Sequence, residues 1–391
     1  MRIIMLNKFP SNMTGGVETV VRDLAIKFSK LKYHCTIFST SPKVNLYKIL
    51  GYDLNKTPEG FVELENASFF RFGAMTLSIT AFINYFIIIK KSKKRKTILF
   101  YHDPSPIFWL LLLIFPKRIK LIVYWHAELI SYKKFHFLIN FFRKKIIKKS
   151  CLNLFSNIKT QNAIHKSLYS EEEIIRNSLI LPLGVNVDPV LFKHEINSKD
   201  INDDLPKKYN LIIGRLAYYK GLSVLLKAVQ KNGSTGKYPI IIVGKVSDQE
   251  TKVIIDELVK YPNIYYISNF VSENTKYKLI KDAYSLLFLS NQTSEAYGII
   301  QVEALSLGTP IINLNIGSGV PEVTKYKNKV CGITLNNDAS LITKLSDFLN
   351  HGFKENRKIL SKRCRNNYID NYSPQILDKK FNEIIHKINY K

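Results

Sequence analysis

The sequence predicts an α/β protein built from two doubly wound domains in tandem. The chain has 391 residues, which is too long for one ordinary core and suits two domains of roughly 150–200 residues. Short β-branched or apolar runs alternate with helical patterns, and this alternation is typical of a parallel sheet with helices on both faces. The pattern stops at a polar stretch over residues 194–208, the best linker candidate, and then starts again.

The first predicted domain covers residues 1–190 and begins with a short apolar run that predicts a buried strand. We predict its strands at residues 3–6, 33–39, 98–101, 119–124 and 179–181. A helix over residues 16–31 follows the first strand, because its apolar side chains recur at helical spacing. Another apolar helix, around residues 105–115, separates two later strands. Repetition of strand, helix and strand predicts parallel pairing.

The second predicted domain covers residues 191–372. We predict its strands at residues 211–213, 240–243, 264–267, 286–289 and 311–313. Its helices are predicted at about 220–231, 248–260, 274–282, 299–307 and 339–350. After it, residues 373–391 have the pattern of an amphipathic helix. Two such domains leave a cleft between the carboxyl ends of their strands, where ligands usually bind.

The charge and the apolar runs of the chain limit its partners. The formal net charge is +27, with lysine-rich segments at residues 90–96 and 143–149. Such charge attracts nucleic acid or an anionic membrane face, and a merely solvated basic surface is the alternative.

The apolar runs 79–89 and 107–115 are each about half of the roughly 20 residues needed to cross a bilayer. Any membrane association is therefore predicted to be peripheral. The four scattered cysteines predict a reducing compartment.

Adjacent glycines, Gly15 and Gly16, stand between the first strand and the first helix. They let the backbone approach a ligand closely, and the start of the helix offers free amides. A tight turn between strand and helix is the alternative. The third glycine of the dinucleotide fingerprint is missing, which argues against NAD.

Polar side chains also end two neighbouring strands of the first domain. His126 and Glu128 follow one strand, and Asp103 follows the other. At the carboxyl edge of a strand, His126 and Glu128 can meet a sugar, and a structural histidine is the alternative. Asp103 can orient an acceptor, and the alternative is that it caps the next helix.

The strand that opens the second domain is followed by Gly214–Gly221, which contains Arg215 and Lys220. Both cations can point at one anion across a glycine-flanked turn, since arginine grips phosphate oxygens in a fork and lysine adds a point charge. A basic surface turn is the alternative.

The segment from Ser294 to Ala304 is the most informative in the chain. It places Glu295 in a loop, Gly298 and Ile299 at a helix start, and Glu303 inside that helix. The first amides and the helix dipole favour a phosphate, while the carboxylates can accept hydrogen bonds from hydroxyl groups. They are too separated in this arrangement for the close dyad of a retaining hydrolase, which needs about 5 Å.

No Asp-x-Asp pair or His/Cys cluster has metal-ligand spacing. We therefore predict an enzyme without a metal or other cofactor, in which Arg215 and Lys220 neutralise a departing diphosphate.

In this order, the motifs resemble glycosyltransferase family 4, whose members are retaining, nucleotide-sugar-dependent enzymes of the GT-B fold. The similarity covers nearly the whole chain, and it includes residues 181–186 between the domains and the Glu295–Glu303 pair, the family's E-x7-E. Residues 317–323 also look like members that build bacterial surface polysaccharides. The family pattern usually has Gly-Phe after the first glutamate, where this chain has Ala296-Tyr297. It often has Gly-Asp or Gly-x-Gly where this chain has Gly244-Lys245.

The resemblance implies a role for each matching residue. His126, Arg215, Lys220 and Glu295 would be catalytic. Donor binding would fall to Gly16, Arg215, Lys220, Gly244, Val271, Glu295, Tyr297, Gly298, Ile299 and Glu303. The acceptor would meet Gly15, Asp103 and Glu128. Among these, Arg215 and Lys220 would hold the diphosphate, Glu303 the ribose hydroxyls and Glu295 the sugar, and His126 would contact the sugar near the reacting carbon.

The resemblance further implies transfer of a hexose, from a GDP-mannose-like or UDP-hexose donor, to a glycan acceptor with the anomeric configuration kept. A basic, aromatic segment over residues 132–149 fits a lipid-linked acceptor at an anionic membrane. We expect a peripheral enzyme on the inner face of the cytoplasmic membrane that makes O-antigen, capsule or another surface polysaccharide and binds no nucleic acid. In the family the C-terminal helix 373–391 packs back on the first domain. The alternatives are a nucleotide-sugar epimerase on the same fold and a basic membrane-surface protein with an inactive cleft.

Overall fold

The computed structural model describes residues 1–11, 16–41, 55–68, 70–72, 75–92, 96–126, 136–168, 171–185, 205–293, 295 and 297–390. They form two compact units, one from Met1 to Leu181 and one from Pro182 to Tyr390. The predicted boundary between residues 190 and 191 lies outside the described residues.

The first unit is built on a largely parallel sheet of eight strands. Its strands are β1 (Arg2–Leu6), β2 (His34–Ser41), β3 (Asn55–Lys56), β4 (Val62–Ala67), β5 (Phe70–Phe72), β6 (Met75–Leu77), β7 (Thr97–Asp103), β8 (Lys120–Trp125), β9 (Leu152–Phe155) and β10 (Ser178–Ile180). The sheet order is β10-β9-β8-β7-β1-β2-β4-β3, and β5 and β6 form a separate hairpin. Only β3 pairs antiparallel within the described part of this sheet.

Helices α1 (Gly16–Lys30), α2 (Ile79–Lys91), α3 (Trp109–Leu113), α4 (His136–Lys149), α5 (Ile158–Leu168) and α6 (Glu172–Arg176) connect these strands. One core joins the sheet to α2, α3, α4 and α5, and its members include Tyr85, Leu111, Trp125, Ile146 and Ile164. The two apolar runs of the sequence are therefore helices that bury one side against the sheet. Within the described ranges, every helix is too short or too polar to span a bilayer.

The second unit is built on a six-stranded sheet in which every pair is parallel. Its strands are β11 (Asn210–Ile213), β12 (Ile240–Val243), β13 (Ile264–Ile267), β14 (Ser285–Phe288), β15 (Ile311–Asn315) and β18 (Gly332–Asn336), in the order β13-β12-β11-β14-β15-β18. The pair β16 (Lys325–Tyr326) and β17 (Lys329–Val330) stands apart as a small antiparallel ribbon.

Its helices are α7 (Leu222–Asn232), α8 (Gln249–Leu258), α9 (Glu273–Asp282), α10 (Ile299–Leu307), α11 (Val320–Thr324), α12 (Leu341–His351), α13 (Arg357–Asn371) and α14 (Pro374–Tyr390). The predicted fold class, two doubly wound α/β domains, is confirmed. The amphipathic C-terminal helix is present as α14, and its packing on the first domain stays a prediction.

Candidate functional site

The predicted donor residues gather at one edge of the second sheet. The strand order of this sheet reverses at β11, which has β12 on one side and β14 on the other. In open parallel sheets ligands bind at such a reversal, beyond the carboxyl ends of the strands. Gly214–Gly221 follows β11, and Glu295 and Gly298 follow β14, so both motifs stand at the reversal.

A close backbone contact joins the loops after β11 and β12. Gly244 has a φ of +140°, and a Cβ there would stand only 1.8 Å from the carbonyl oxygen of Gly214. Leu216 and Val246 continue the contact as an isolated parallel bridge. Gly244 is therefore required by packing between the two loops, which fixes the backbone around the predicted diphosphate site.

The two predicted phosphate-binding cations have different partners. Arg215 is exposed, and its Nη2 donates to the Tyr219 hydroxyl at 3.0 Å. The Lys220 ammonium forms an ion pair with the Glu295 carboxylate and lies 5.5 Å from the centre of the Phe288 ring. Lys220 and Glu295, predicted to hold diphosphate and sugar respectively, thus contact each other directly.

Gly298 turns the chain into α10. Its φ is +73°, and a Cβ there would stand 2.3 Å from the Phe288 ring. Helix α10 begins at the next residue, Ile299. The glycine allows the first turn of the helix, with its outward amides, to lie directly against the end of β14.

The side chain of Tyr297 has a packing role. It is buried, and its hydroxyl donates to the carbonyl oxygen of Leu183 at 3.0 Å. Its ring meets that of Tyr372 edge to face, with the ring centres 6.3 Å apart. The predicted donor contact at this position therefore depends on the backbone.

Glu303 lies inside α10 and is 5% exposed. Its Oε1 accepts a hydrogen bond from Lys276 Nζ on α9 at 2.9 Å. Burial raises the pKa of the Glu303 carboxyl, and the neighbouring Lys276 ammonium opposes that shift. The pair supplies a half-buried cation and a carboxylate, which suits recognition of hydroxyl and phosphate groups.

Val271 stands at the turn between β13 and α9. It directly precedes Ser272, whose hydroxyl caps α9 by accepting from the Thr275 amide at 3.3 Å. Val271 is partly exposed, one turn before Lys276. The predicted donor role of Val271 is consistent with this place and stays a prediction.

His126 lies in the first unit, directly after β8. Its Nε2 is 2.9 Å from Nδ1 of His102, which belongs to the neighbouring strand β7. Both rings are buried, and burial lowers the pKa of His126 to about 3 and that of His102 well below its ordinary value. His126 is thus a neutral imidazole with a hydrogen-bonded partner.

Asp103 is fully buried in a network under α4. Its Oδ2 accepts from Arg143 Nη2 at 2.5 Å, and its Oδ1 accepts from the Tyr101 hydroxyl at 3.2 Å. Burial raises the pKa of Asp103, although Arg143 acts in the opposite direction. The Arg143 guanidinium also lies 5.0 Å from the centre of the Trp125 ring. These contacts account for Asp103 as a structural group and do not favour the predicted acceptor role.

The remaining predicted residues belong to the first unit. Gly16 opens α1, and a Cβ there would meet nothing within 4 Å, so the described structure does not demand a glycine. Gly15 and Glu128 lie outside the described residues, as do all of residues 127–135.

Sequence reasoning missed two residues, Lys276 and His102. A lysine one turn into the helix after β13 is a detectable signal, since that helix starts at the same edge of the sheet as the donor motifs. His102 directly precedes Asp103, the last residue of β7, and parallel pairing of β7 with β8, the strand before His126, brings the two histidines together.

Comparisons with known proteins find similarity to glycosyltransferases. Residues 193–367 match the family model of glycosyl transferases group 1. The chain is 21% identical over 360 residues to the O-antigen chain mannosyltransferase C of Escherichia coli, with 91% of each chain covered. It is 22% identical to the D-rhamnosyltransferase WbpZ of Pseudomonas aeruginosa, over 84% of this chain and 80% of that one.

Among solved structures, Anabaena Alr3699/HepE in complex with UDP-glucose matches with a TM-score of 0.70 and 14% identity, over 99% of each chain. This likeness extends the confirmed fold class to the GT-B type. The family model and the relatives together support a glycosyltransferase.

Proposed function

We propose that this chain, a glycosyltransferase by its family match and its relatives, transfers a hexose from a nucleotide sugar to a glycan acceptor with retention of configuration. The observation that carries the proposal is the pair of lysine–carboxylate contacts at the reversal of the second sheet. Lys220 pairs with Glu295, and Lys276 pairs with Glu303. Each contact places an ammonium group, which can bind a phosphate oxygen, beside a carboxylate, which can accept hydrogen bonds from sugar hydroxyls. A sugar joined to a diphosphate requires both kinds of group.

The relatives support a nucleotide-sugar donor and a hexose. HepE was solved with UDP-glucose, and the two curated relatives are named for mannosyl and D-rhamnosyl transfer. In our proposal the ribose hydroxyls meet Glu303, the diphosphate meets Arg215, Lys220 and the first amides of α10, and the sugar meets Glu295. O-antigen or another surface polysaccharide is the proposed product.

The proposed reaction is a substitution on one face of the sugar. The bond from the anomeric carbon to the diphosphate breaks, and Arg215 and Lys220 stabilise the charge that develops on the leaving oxygen. The acceptor hydroxyl forms the new bond from the same face, and its proton passes to the departing diphosphate. Protein cations neutralise the leaving group in this scheme, so it routes no step through a metal ion.

Lys220 has to change partners during this reaction. Its ammonium is shared with Glu295 in the structure, and in our proposal a bound diphosphate draws it away. Glu295 is then free to accept hydrogen bonds from the sugar. The exchange links phosphate binding to sugar binding through a single lysine.

The proposed acceptor is lipid-linked, and the surface of the first unit supports membrane contact. Helices α2, α3 and α4 adjoin each other: Tyr85 donates to the Leu111 carbonyl at 3.1 Å, and Trp109 stacks on Phe142 at 5.6 Å. Exposed large apolar side chains on these helices are Ile79, Ile83, Phe86, Leu110, Ile114, Phe137, Leu138 and Phe141. We name this set the three-helix apolar surface. Exposed Lys144, Lys145 and Lys148 on α4 accompany it, and the combination suits an anionic lipid face.

The donor site is tested by titrating the full chain with UDP- and GDP-sugars and following its thermal stabilisation. We expect a shift specific to one donor class that disappears in Glu303→Ala. The matched control is Glu257→Gln, a half-exposed glutamate on α8 that pairs with Lys260. A shift that survives in Glu303→Ala, or is lost equally in the control, contradicts the assignment.

Membrane contact is tested by flotation with vesicles that contain anionic lipid or only zwitterionic lipid. We expect binding to the anionic vesicles that falls when Phe137 and Phe141 are both replaced by serine. Phe270→Ser removes another exposed ring, from the second unit, and is expected to leave vesicle binding unchanged. Equal binding by all variants would refute the proposed surface.

A further inference from the structure

We infer that His102 and His126 act as one hydrogen-bonded unit, in which His102 fixes the orientation and tautomer of His126 so that Nδ1 is the nitrogen available to the substrate. The inference rests on the proposed function and on the role that the family resemblance implies for His126, contact with the transferred sugar. It adds His102 as a positioning residue.

The two strands bring the rings together by register. Within β7 and β8, His102 stands opposite Tyr124, and the amide of His126 donates to the Asp103 carbonyl at 3.2 Å. Backbone pairing thus continues one residue beyond the strand and holds His126 beside His102. The short distance between the histidines follows from the sheet and needs no loop to create it.

The rings meet edge to edge. His102 Nδ1 and His126 Nε2 are 2.9 Å apart, the ring centres are 5.2 Å apart and the ring planes differ by 14°. In such nearly coplanar rings the N···N line runs from one ring to the next, which is good hydrogen-bond geometry. Because each neutral imidazole has one N–H and one lone pair, one ring must donate and the other accept. The proton positions on the two rings are therefore coupled.

Aromatic neighbours prevent either ring from turning. His102 stacks on Phe100 with ring centres 5.1 Å apart, and His126 stacks on Tyr124 at 4.2 Å. The histidines are 1% and 5% exposed. A ring confined in this way can change its tautomer only if its partner changes too.

The pair leaves one nitrogen on each ring without a partner among the described residues. These atoms are His102 Nε2 and His126 Nδ1, and both are buried. Buried polar atoms are nearly always satisfied in proteins, so an orphan calls for an explanation. Since Nε2 of His126 is held by His102, Nδ1 is its only nitrogen that can address a sugar oxygen.

The first readout is structural and does not depend on turnover. In the full chain labelled with ¹⁵N-histidine, the hydrogen bond should give a scalar coupling between His102 Nδ1 and His126 Nε2, and each ring should show one tautomer. His102→Phe should abolish the coupling and leave His126 with mixed tautomers. His102→Asn places an amide near the position of Nδ1 and should restore a hydrogen bond to His126 Nε2. No coupling in the native protein would overturn the inference.

The second readout is kinetic. We expect His102→Phe to lower kcat about 10–100-fold while donor KM stays within about twofold, because a misplaced group weakens the transition state more than binding. His102→Asn should recover most of kcat. The control is His165→Phe, since His165 is also buried but contacts Ser178 instead. Near-native kcat in His102→Phe, or an equal loss in His165→Phe, would overturn the positioning role.

Donor titration separates this inference from the proposed function. If the native protein binds no nucleotide sugar, the proposed function fails, whatever the histidine signals show. If a donor binds through Glu303 but leaves the His126 Nδ1 signal unmoved, the proposed function stands and the role of the pair fails.

Discussion

Lys276 on α9 donates a hydrogen bond of 2.9 Å to Glu303 on α10, and this contact holds a carboxylate that is almost fully buried. Two helices that follow different strands of the second sheet are thus joined at the edge where the donor is proposed to bind. A buried carboxylate has to be compensated by a charge or by hydrogen bonds. The part of the site where we propose that the nucleoside binds is therefore organised by the Lys276–Glu303 ion pair.

Glu303→Gln should separate stability from donor binding. Because burial raises the pKa of Glu303 in the fold, its ionisation opposes folding as pH rises from the ordinary glutamate range through the raised value. The native free energy of unfolding should therefore fall relative to Glu303→Gln over that window. Urea unfolding between pH 4 and pH 8 measures this difference. A difference that shifts in favour of the native protein as pH rises would contradict the prediction.

The same variant should bind the donor more weakly, by about tenfold or more, because it loses a charged acceptor whose hydrogen bonds contribute about 1.5–3 kcal/mol. Calorimetric titration with the donor identified by thermal stabilisation measures this loss. Glu257→Gln, which alters a half-exposed glutamate, should retain native affinity.

Arg215→Ala should reduce kcat/KM by about 10²–10³, the usual effect of removing one group that stabilises developing negative charge. Since Arg215 is exposed, the free energy of unfolding should change by less than about 0.5 kcal/mol. Steady-state kinetics with a donor and an acceptor measure the first effect, and urea unfolding measures the second. Arg176→Ala removes an exposed arginine of the first unit and should alter neither. Near-native turnover by Arg215→Ala would refute the proposed leaving-group role.

Gly298→Ala should destabilise the protein by about 1–3 kcal/mol, because it combines an unfavourable φ with overlap on the Phe288 ring. Gly233→Ala is the matched control, since Gly233 also has a positive φ, of +65°, but a Cβ there meets nothing within 4 Å. The difference between the two variants in urea unfolding isolates the overlap. When both glycine variants are made in the Phe288→Ala background, Gly298→Ala should cost no more than Gly233→Ala, and a persistent extra cost would contradict the overlap.

Asp103→Asn and Arg143→Met should each destabilise the first unit by about 3–5 kcal/mol, because each leaves a buried charge without its partner. The double variant should lose less than the sum of the two, which a double-mutant cycle measures. This outcome identifies Asp103 as structural. A stable Asp103→Asn variant with a raised acceptor KM would instead return Asp103 to the acceptor site.

The sequence predicted most of the central parallel strands, because short runs of buried β-branched residues are typical of such strands. It missed the parallel strands β4 and β9 in the first unit and β18 in the second. Strand β4, Val-Glu-Leu-Glu-Asn-Ala, has polar residues at three of its six positions, and β9 is only four residues long. The element around residues 105–115 is a helical turn and the short α3 rather than one continuous helix.

The site was predictable as far as its motifs follow strands. Glycine spacing and charge located Arg215, Lys220, Glu295 and Gly298 at one edge. Partnerships were not predictable, because they depend on which side chains the register brings together. Lys276, His102 and Arg143 are partners that the sequence did not predict. The ion pair with Arg143 accounts for Asp103, a candidate ligand in the sequence, as a buried structural group.

Phe288 constrains any attempt to redesign this enzyme for another sugar. One side of its ring lies near the Lys220 ammonium, and the same ring fills the space that a side chain at Gly298 would need. The loops after β11 and β14 therefore both pack against the Phe288 ring. If a relative has a different residue at the end of β14, a loop grafted from it would lose its packing contact with the Phe288 ring. The end of β14 and both loops therefore have to be exchanged together.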